Sequence, residues 1–95
     1  MRTPEGHQKD LVKQYLDGIG AHHFWPVQTG YGAPHLDCIA CASGFYLGIE
    51  VKAPGGRYTA RQKATMRAIV AAGGGVFAGT ASQIIEGIEK WRFKK

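Results

Sequence analysis

Long apolar runs, a secretion signal and a second pair of cysteines are all missing from this sequence of 95 residues. Roughly 20 consecutive apolar residues are needed to cross a bilayer. No run approaches that length, so we predict no membrane span. The opening residues MRTPEGHQKD also lack the apolar segment of a signal peptide. We therefore expect a soluble, cytoplasmic protein.

The two cysteines, Cys38 and Cys41, have the C-x-x-C spacing of zinc and redox sites. Both kinds of site are disfavoured here. A structural zinc site needs further ligands, and residues three apart on a strand point to opposite faces of the sheet. We expect both cysteines to be buried and to pack as small apolar side chains.

Acidic side chains are absent between Ala53 and Ile85, whereas several basic residues lie in that stretch. The net charge of the whole chain is +5. A basic stretch without acids attracts a polyphosphate such as nucleic acid. A solvated helix face is the alternative interpretation, so the charge pattern by itself does not establish DNA binding.

The apolar pattern predicts one α/β domain over residues 1–95, and an apolar content of 44% suits a single core. Helix starts are predicted at Thr3, Thr59 and Thr80, each of which precedes apolar residues at helical spacing. Strands are predicted in HHFWPVQ, LDCIACA, FYLGIEVK and VFAG, with the first at a sheet edge because it contains Pro26. The order αβββαβα predicts a mixed sheet flanked by helices.

Three charged residues lie at the ends of two predicted neighbouring strands. Asp37 opens one strand, and Glu50 and Lys52 close the next. A hairpin would bring both carboxylates to one sheet edge, where they and the carbonyl of Val51 suit Mg²⁺ or Mn²⁺. Such an ion can activate water for phosphodiester hydrolysis, with Lys52 as a cation beside the phosphate. The alternative is a solvated Glu50–Lys52 ion pair, with Asp37 capping a turn.

The ordered pattern D-x12-E-x-K followed by APGGRYTARQ resembles the PD-(D/E)xK nuclease superfamily, and within it the stand-alone VRR-NUC domains typical of phages and bacteria. The match covers nearly the whole chain. It implies a restriction-endonuclease-like fold and a Mg²⁺- or Mn²⁺-dependent, structure-selective DNA endonuclease. Minimal members resemble homodimeric Holliday-junction resolvases. The sequence departs from the family at Leu36, where a proline usually precedes the aspartate.

The resemblance implies a catalytic set and a metal site. In each of them, the presence of one residue could also be explained by its role in a helix start. The catalytic set is Asp37, Glu50, Lys52 and Gln62, and the metal ligands are Glu5, Asp37, Glu50 and Val51. Gln62 also has capping-box spacing after Thr59, so it could serve the helix start instead of the site, or both. The negative charge of Glu5 near a helix N-terminus is favourable for the helix dipole, which would explain this residue without any function. Glu5 nevertheless lies on the inward stripe of its helix.

Contacts to DNA are expected from the basic residues after the second strand of the hairpin and from one loop aromatic, namely Arg57, Arg61, Lys63, Arg67 and Tyr31. Arg57 and Arg61 are the strongest candidates for a DNA contact, because Gly55 and Gly56 let the loop approach a phosphate closely. Tyr31 could stack on a base or support its own loop.

Three hypotheses follow for the function. The leading one is a metal-dependent endonuclease of branched DNA, such as Holliday junctions, acting in DNA repair within a bacterial or phage-infected cell. It would work as a homodimer, because two symmetric cuts need two clefts. The second is a DNA-binding module without catalysis, which the replacement of proline by Leu36 favours. The third is a nuclease subunit that depends on a replication or repair protein.

Overall fold

The computed structural model describes residues 3–27 and 35–94. Seven elements follow one another in the order α-β-β-β-α-β-α, as the sequence predicted. Their bounds are α1 Pro4–Gly18, β1 His22–Phe24, β2 Cys38–Ala42, β3 Phe45–Val51, α2 Ala60–Ala71, β4 Gly75–Gly79 and α3 Ala81–Arg92. No helix within these two ranges combines the length and the apolar composition that crossing a membrane requires.

Each helix begins at a threonine whose side chain accepts a backbone hydrogen bond from the first turn. These bonds satisfy N–H groups that have no partner inside the helix. In α2 and α3 a glutamine returns the bond to the backbone of the capping residue, so Thr59 with Gln62 and Thr80 with Gln83 form complete capping boxes. The three predicted helix starts are confirmed.

The four strands form one mixed sheet in the order β1-β2-β3-β4. The first three strands are antiparallel, whereas β3 and β4 are parallel and are joined by α2 as the crossover. Ser43 and Gly44 link β2 to β3, and both have positive φ, 54° and 83°. A two-residue turn of this kind matches the right-handed twist of the paired strands. The predicted mixed α/β fold, with β1 at an edge, is confirmed.

Helices α1 and α3 cover one face of the sheet and enclose the core. Alternate residues of β3 point to this face, as the period of a strand requires. The fully buried members are Val12 and Leu16 of α1, Cys38 of β2, Leu47, Ile49 and Val51 of β3, and Ile84 and Ile88 of α3. A polar contact also joins the two helices, since Gln8 accepts the Ala81 N–H at 2.8 Å. The N-terminal part of α1 is thereby held beside the start of α3.

Helix α2 lies on the opposite face of the sheet, and none of its residues is fully buried. It approaches β3 at Gly48, where an added Cβ would stand 2.6 Å from the Cδ1 atom of Ile69. The same added atom would stand 3.1 Å from Cδ1 of Leu36, which is completely buried. Leu36 is therefore a packing residue beneath α2. This arrangement sets α2 over the face of β3 that carries Glu50.

The two cysteines are free, and they lie on opposite faces of β2. Cys38 is buried, as expected, and burial raises the pKa of its thiol to about 12. Cys41 is exposed, so the expectation that both cysteines are buried is wrong for Cys41. The reason is the odd spacing of the pair on a strand whose side chains alternate between two faces.

Candidate active site

Asp37 and Glu50 stand opposite each other at one end of the β2–β3 hairpin. The register pairs Cys38 with Ile49, which places the preceding Asp37 across from Glu50. The Asp37 backbone N–H donates to Oε1 of Glu50 at 3.2 Å, and the Val51 N–H donates to Oδ2 of Asp37 at 2.8 Å. Each carboxylate thus bonds to the strand that carries the other. The two acids belong to one rigid corner of the sheet.

Glu50 is the buried charged residue of this corner, with 3% of its surface exposed. Its Oε2 accepts a bond from the Gln62 amide at 2.9 Å and lies 3.5 Å from the Lys52 ammonium. Burial and the neighbouring charge of Asp37 raise the pKa of Glu50 to about 7, although Lys52 acts in the opposite direction. Two carboxylates held this close are a site where added positive charge is favourable.

The raised pKa of Glu50 predicts that the metal-free protein loses stability as the pH rises. In the unfolded chain Glu50 ionises near its ordinary pKa of 4.5, whereas in the folded state it holds its proton up to about 7. Its contribution to stability is therefore present at low pH and is lost as the pH rises through 7. Between pH 5 and pH 8 we expect a loss on the order of 2 kcal/mol from this group.

Urea unfolding in EDTA at both pH values measures this loss. The Glu50→Gln variant provides the reference, because it retains the histidines and other titrating groups but cannot ionise at position 50. We expect a smaller fall in the free energy of unfolding for the variant than for the unchanged protein. Equal falls in the two proteins would show that Glu50 titrates normally.

Gln62 serves the helix and the site at the same time. Its side-chain oxygen accepts the Thr59 N–H at 2.9 Å, and its side-chain nitrogen donates to Glu50. The capping box fixes the first turn of α2, and that turn carries the amide to the carboxylate on the sheet. One side chain therefore makes the capping contact and the contact with Glu50, and the catalytic role of Gln62 stays a prediction. It positions Glu50 directly and holds no contact with Asp37 among the described interactions.

Lys52 follows β3 directly, and its side chain is only 15% exposed. Its backbone N–H donates to the Gly79 carbonyl at 2.7 Å, which extends the parallel pairing with β4 by one residue. Its ammonium lies over the ring of Tyr58, 5.6 Å from the centroid, in a cation–π contact. Lys52 also lines a surface groove together with Pro54, Tyr58 and the start of α3. Sequence reasoning did not identify Tyr58, although its place just before the Thr59 cap puts it beside the site.

Glu5 reaches the site through Lys9. The Lys9 ammonium lies 3.5 Å from Oε2 of Glu5 and 3.4 Å from Oδ1 of Asp37. Burial acts to lower the pKa of Lys9, but the charges of Asp37 and Glu5 outweigh it and raise that pKa. From the sequence, Lys9 was not placed in the site. The i, i+4 spacing from Glu5 was the signal that could have placed Lys9 beside the carboxylates.

The side chains of this corner fit a magnesium or manganese ion. In the described ranges no three His, Cys, Asp or Glu side chains gather closely enough to form a metal cluster. Mg²⁺ does not require such a cluster, because it commonly uses one or two carboxylates together with waters and substrate phosphates. Asp37 and Glu50 supply that number of hard oxygen donors, and their mutual repulsion favours a cation. The ligand roles of Asp37, Glu50, Glu5 and the Val51 carbonyl stay predictions.

The basic residues predicted to contact DNA lie on the surface near this corner. Arg57 belongs to the loop after β3, while Arg61, Lys63 and Arg67 belong to α2. All four are exposed, and none forms an ion pair with a carboxylate of residues 3–27 or 35–94. Their charges are therefore available to an anionic partner. Tyr31 lies outside the described residues.

The four-stranded mixed sheet with this order of helices defines a restriction-endonuclease-like α/β fold. A solved structure described as a VRR_NUC domain has the same fold, with a TM-score of 0.79 over 94% of this chain and 98% of that chain. The two sequences are 18% identical, so the likeness concerns the fold. No protein-family model matches the sequence, and no curated protein matches it significantly. The resemblance predicted from the sequence is confirmed at the level of the fold.

Proposed function

We propose that this protein is a Mg²⁺- or Mn²⁺-dependent DNA endonuclease that hydrolyses phosphodiester bonds, with branched DNA such as Holliday junctions as its substrate. The observation that carries the proposal is the pairing of Asp37 with Glu50 across neighbouring strands, with Lys52 and Gln62 beside them. The likeness of the fold to a VRR_NUC domain supports it. So does the absence of acids between Ala53 and Ile85.

Asp37 and Glu50 would hold the divalent ion, with Glu5 and the Val51 carbonyl as further ligands. When bound, such an ion polarises a phosphoryl oxygen and lowers the pKa of a coordinated water. Lys52 brings a largely buried ammonium to the same corner, where its charge would stabilise the negative charge that develops on the phosphate. Gln62 holds Glu50 in one orientation through its amide. These side chains are attached to strand ends and a capped helix turn, which keeps the set rigid.

DNA would lie across the loop after β3 and the exposed side of α2. Arg57, Arg61, Lys63 and Arg67 would contact the phosphate backbone, and Tyr31 would add a further contact to DNA. Contacts of this kind position the duplex without reading its sequence, which suits an enzyme that recognises a branched shape. A homodimer would present two such corners, one for each strand that a junction resolvase cuts.

The test is a cleavage assay with three substrates: a mobile four-way junction, a linear duplex and a single strand. We expect cleavage of the junction with Mg²⁺ or Mn²⁺, and none after EDTA is added. Sedimentation at micromolar concentration then checks the dimer. If none of the three substrates is cut under any of these conditions, the enzymatic proposal is wrong.

The second candidate is a DNA-binding module without catalysis, and one feature of the site favours it. Every oxygen of Asp37 and Glu50 already contacts a donor or a cation of the chain itself. In addition, Leu36 replaces the proline usual in the family. Junction binding that persists in EDTA, together with the absence of any cleavage product, would select this candidate.

A further inference from the structure

The Lys9 ammonium occupies the place where two of the proposed metal ligands meet. It lies 3.4 Å from Oδ1 of Asp37 and 3.5 Å from Oε2 of Glu5. Glu5 and Lys9 are one helical turn apart on α1, while Asp37 directly precedes β2. Lys9 thus joins the first helix to the carboxylate corner, and it does so through charge. Its side chain keeps about one third of its surface exposed, so the ammonium has a way out to solvent.

The contact with Asp37 falls on the oxygen that a metal ion would use. Oδ2 of Asp37 accepts the Val51 N–H, a backbone group that belongs to the end of β3. Oδ1 is therefore the oxygen left for a ligand, and Lys9 contacts Oδ1. Mg²⁺ binds oxygen at about 2.0–2.1 Å. An ion on Oδ1 would bring two positive charges close to the ammonium, where like charges repel strongly.

The formal charges of the site also disfavour the simultaneous presence of the Lys9 ammonium and a divalent ion. When Glu50 is ionised, Glu5, Asp37 and Glu50 contribute three negative charges, whereas Lys9 and Lys52 contribute two positive ones, which leaves −1. Without Lys9 the balance is −2, which one divalent ion neutralises. Lys9 can leave the site more easily than Lys52, because the Lys9 side chain is 32% exposed and the Lys52 side chain only 15%.

We propose that Lys9 is a resident counter-cation of this site, whose ammonium holds Glu5 and Asp37 together until a divalent ion displaces it. This inference rests on the proposed function, since it takes Asp37 as a metal ligand. The four-carbon stem of lysine is flexible and its ammonium is strongly hydrated. Displacement therefore requires only that the side chain turn outward, with no change in the backbone of α1. Lys9 is in this sense a positioning residue of the metal-free state.

Calorimetric titration with Mn²⁺ in the absence of DNA tests the proposal without any measurement of activity. Lys9→Met keeps an unbranched stem and removes the charge, and Lys90→Met removes the same charge from an exposed position on α3. We expect Lys9→Met to bind Mn²⁺ roughly fivefold more tightly than the unchanged protein, the equivalent of one partly exposed ion pair. Lys90→Met should bind as the unchanged protein does. Equal or weaker binding by Lys9→Met would overturn the proposal.

A second measurement uses the unchanged protein, so it does not depend on the folding of a variant. The NMR signals of the lysine Cε–Hε groups are followed during a titration with diamagnetic Mg²⁺. We expect the Lys9 signal to shift with the midpoint of Mg²⁺ binding found by calorimetry, while the Lys90 signal stays in place. Mg²⁺ binding that depends on Asp37 but leaves the Lys9 signal unmoved would overturn this inference and leave the proposed function intact. If the unchanged protein binds neither metal, both proposals fail.

Discussion

Replacing Asp37 by asparagine is expected to lower the rate of metal-dependent junction cleavage by roughly a thousandfold, which corresponds to about 4 kcal/mol of transition-state stabilisation. Asparagine keeps an oxygen that can accept the Val51 N–H, so the end of the hairpin is preserved. The negative charge that would hold the metal ion is lost. Single-turnover cleavage of a four-way junction in Mn²⁺ measures the effect, and circular dichroism confirms that the variant is folded.

Asp17→Asn is the matched control for this experiment. Asp17 is an exposed carboxylate of α1 that bonds to His23 at 2.7 Å, far in the sequence from the hairpin. The substitution removes the same charge from the protein and is expected to leave the cleavage rate within about twofold. If Asp37→Asn and Asp17→Asn cleave equally well, Asp37 is not a metal ligand in the reaction.

Replacing Gly79 by alanine is expected to destabilise the fold by about 3 kcal/mol. Gly79 has a φ of 125°, a backbone conformation that side chains rarely tolerate. An added Cβ would also stand 2.2 Å from Oε1 of Gln83, the atom that accepts the Thr80 N–H. The substitution therefore introduces backbone strain and breaks one half of the capping box of α3. Urea unfolding followed by circular dichroism measures the change.

Gly18→Ala provides the comparison for Gly79→Ala. Gly18 is the last residue of α1, and an added Cβ would meet nothing within 4 Å. The free energy of unfolding of the Gly18→Ala variant should equal that of the unchanged protein or be slightly higher, since alanine is the better helix former. A loss below about 0.5 kcal/mol in Gly79→Ala would contradict the account of the strand end. Gly79 also links the stability of the strand end to the site, because its carbonyl accepts a hydrogen bond from the backbone N–H of Lys52.

The candidate site has two properties that conflict in the metal-free protein. The fold brings two carboxylates together on adjacent strands, and burial makes the charge on Glu50 costly. Each carboxylate is therefore matched by a lysine, Asp37 by Lys9 and Glu50 by Lys52. A divalent ion would relieve the same repulsion more effectively than the ammonium of Lys9. The pH dependence of stability measures the cost of the buried charge on Glu50. The Mn²⁺ affinities independently measure the competition between Lys9 and a divalent ion.

The strands, the helix starts and the hairpin could be predicted from the sequence, because the interactions that form them are local. A capping threonine acts on a residue three positions away, and the alternation of Leu47, Gly48, Ile49 and Glu50 places each side chain on its face. A two-residue hairpin turn at Ser43-Gly44 places Asp37 opposite Glu50 through the period of the strands. The acidic pair is therefore a property that the local sequence determined.

The tertiary structure decided the contacts between distant elements, which no local spacing reveals. Lys9 meets Asp37 only because α1 packs beside the end of the hairpin, and the packing depends on core residues from four elements. In the same way Gln8 reaches Ala81 across 73 positions. Leu36 could not be judged from sequence, since its burial depends on how closely α2 approaches Gly48. Local order follows from bonds between near neighbours, whereas the charge balance of the site follows from the packing of whole elements.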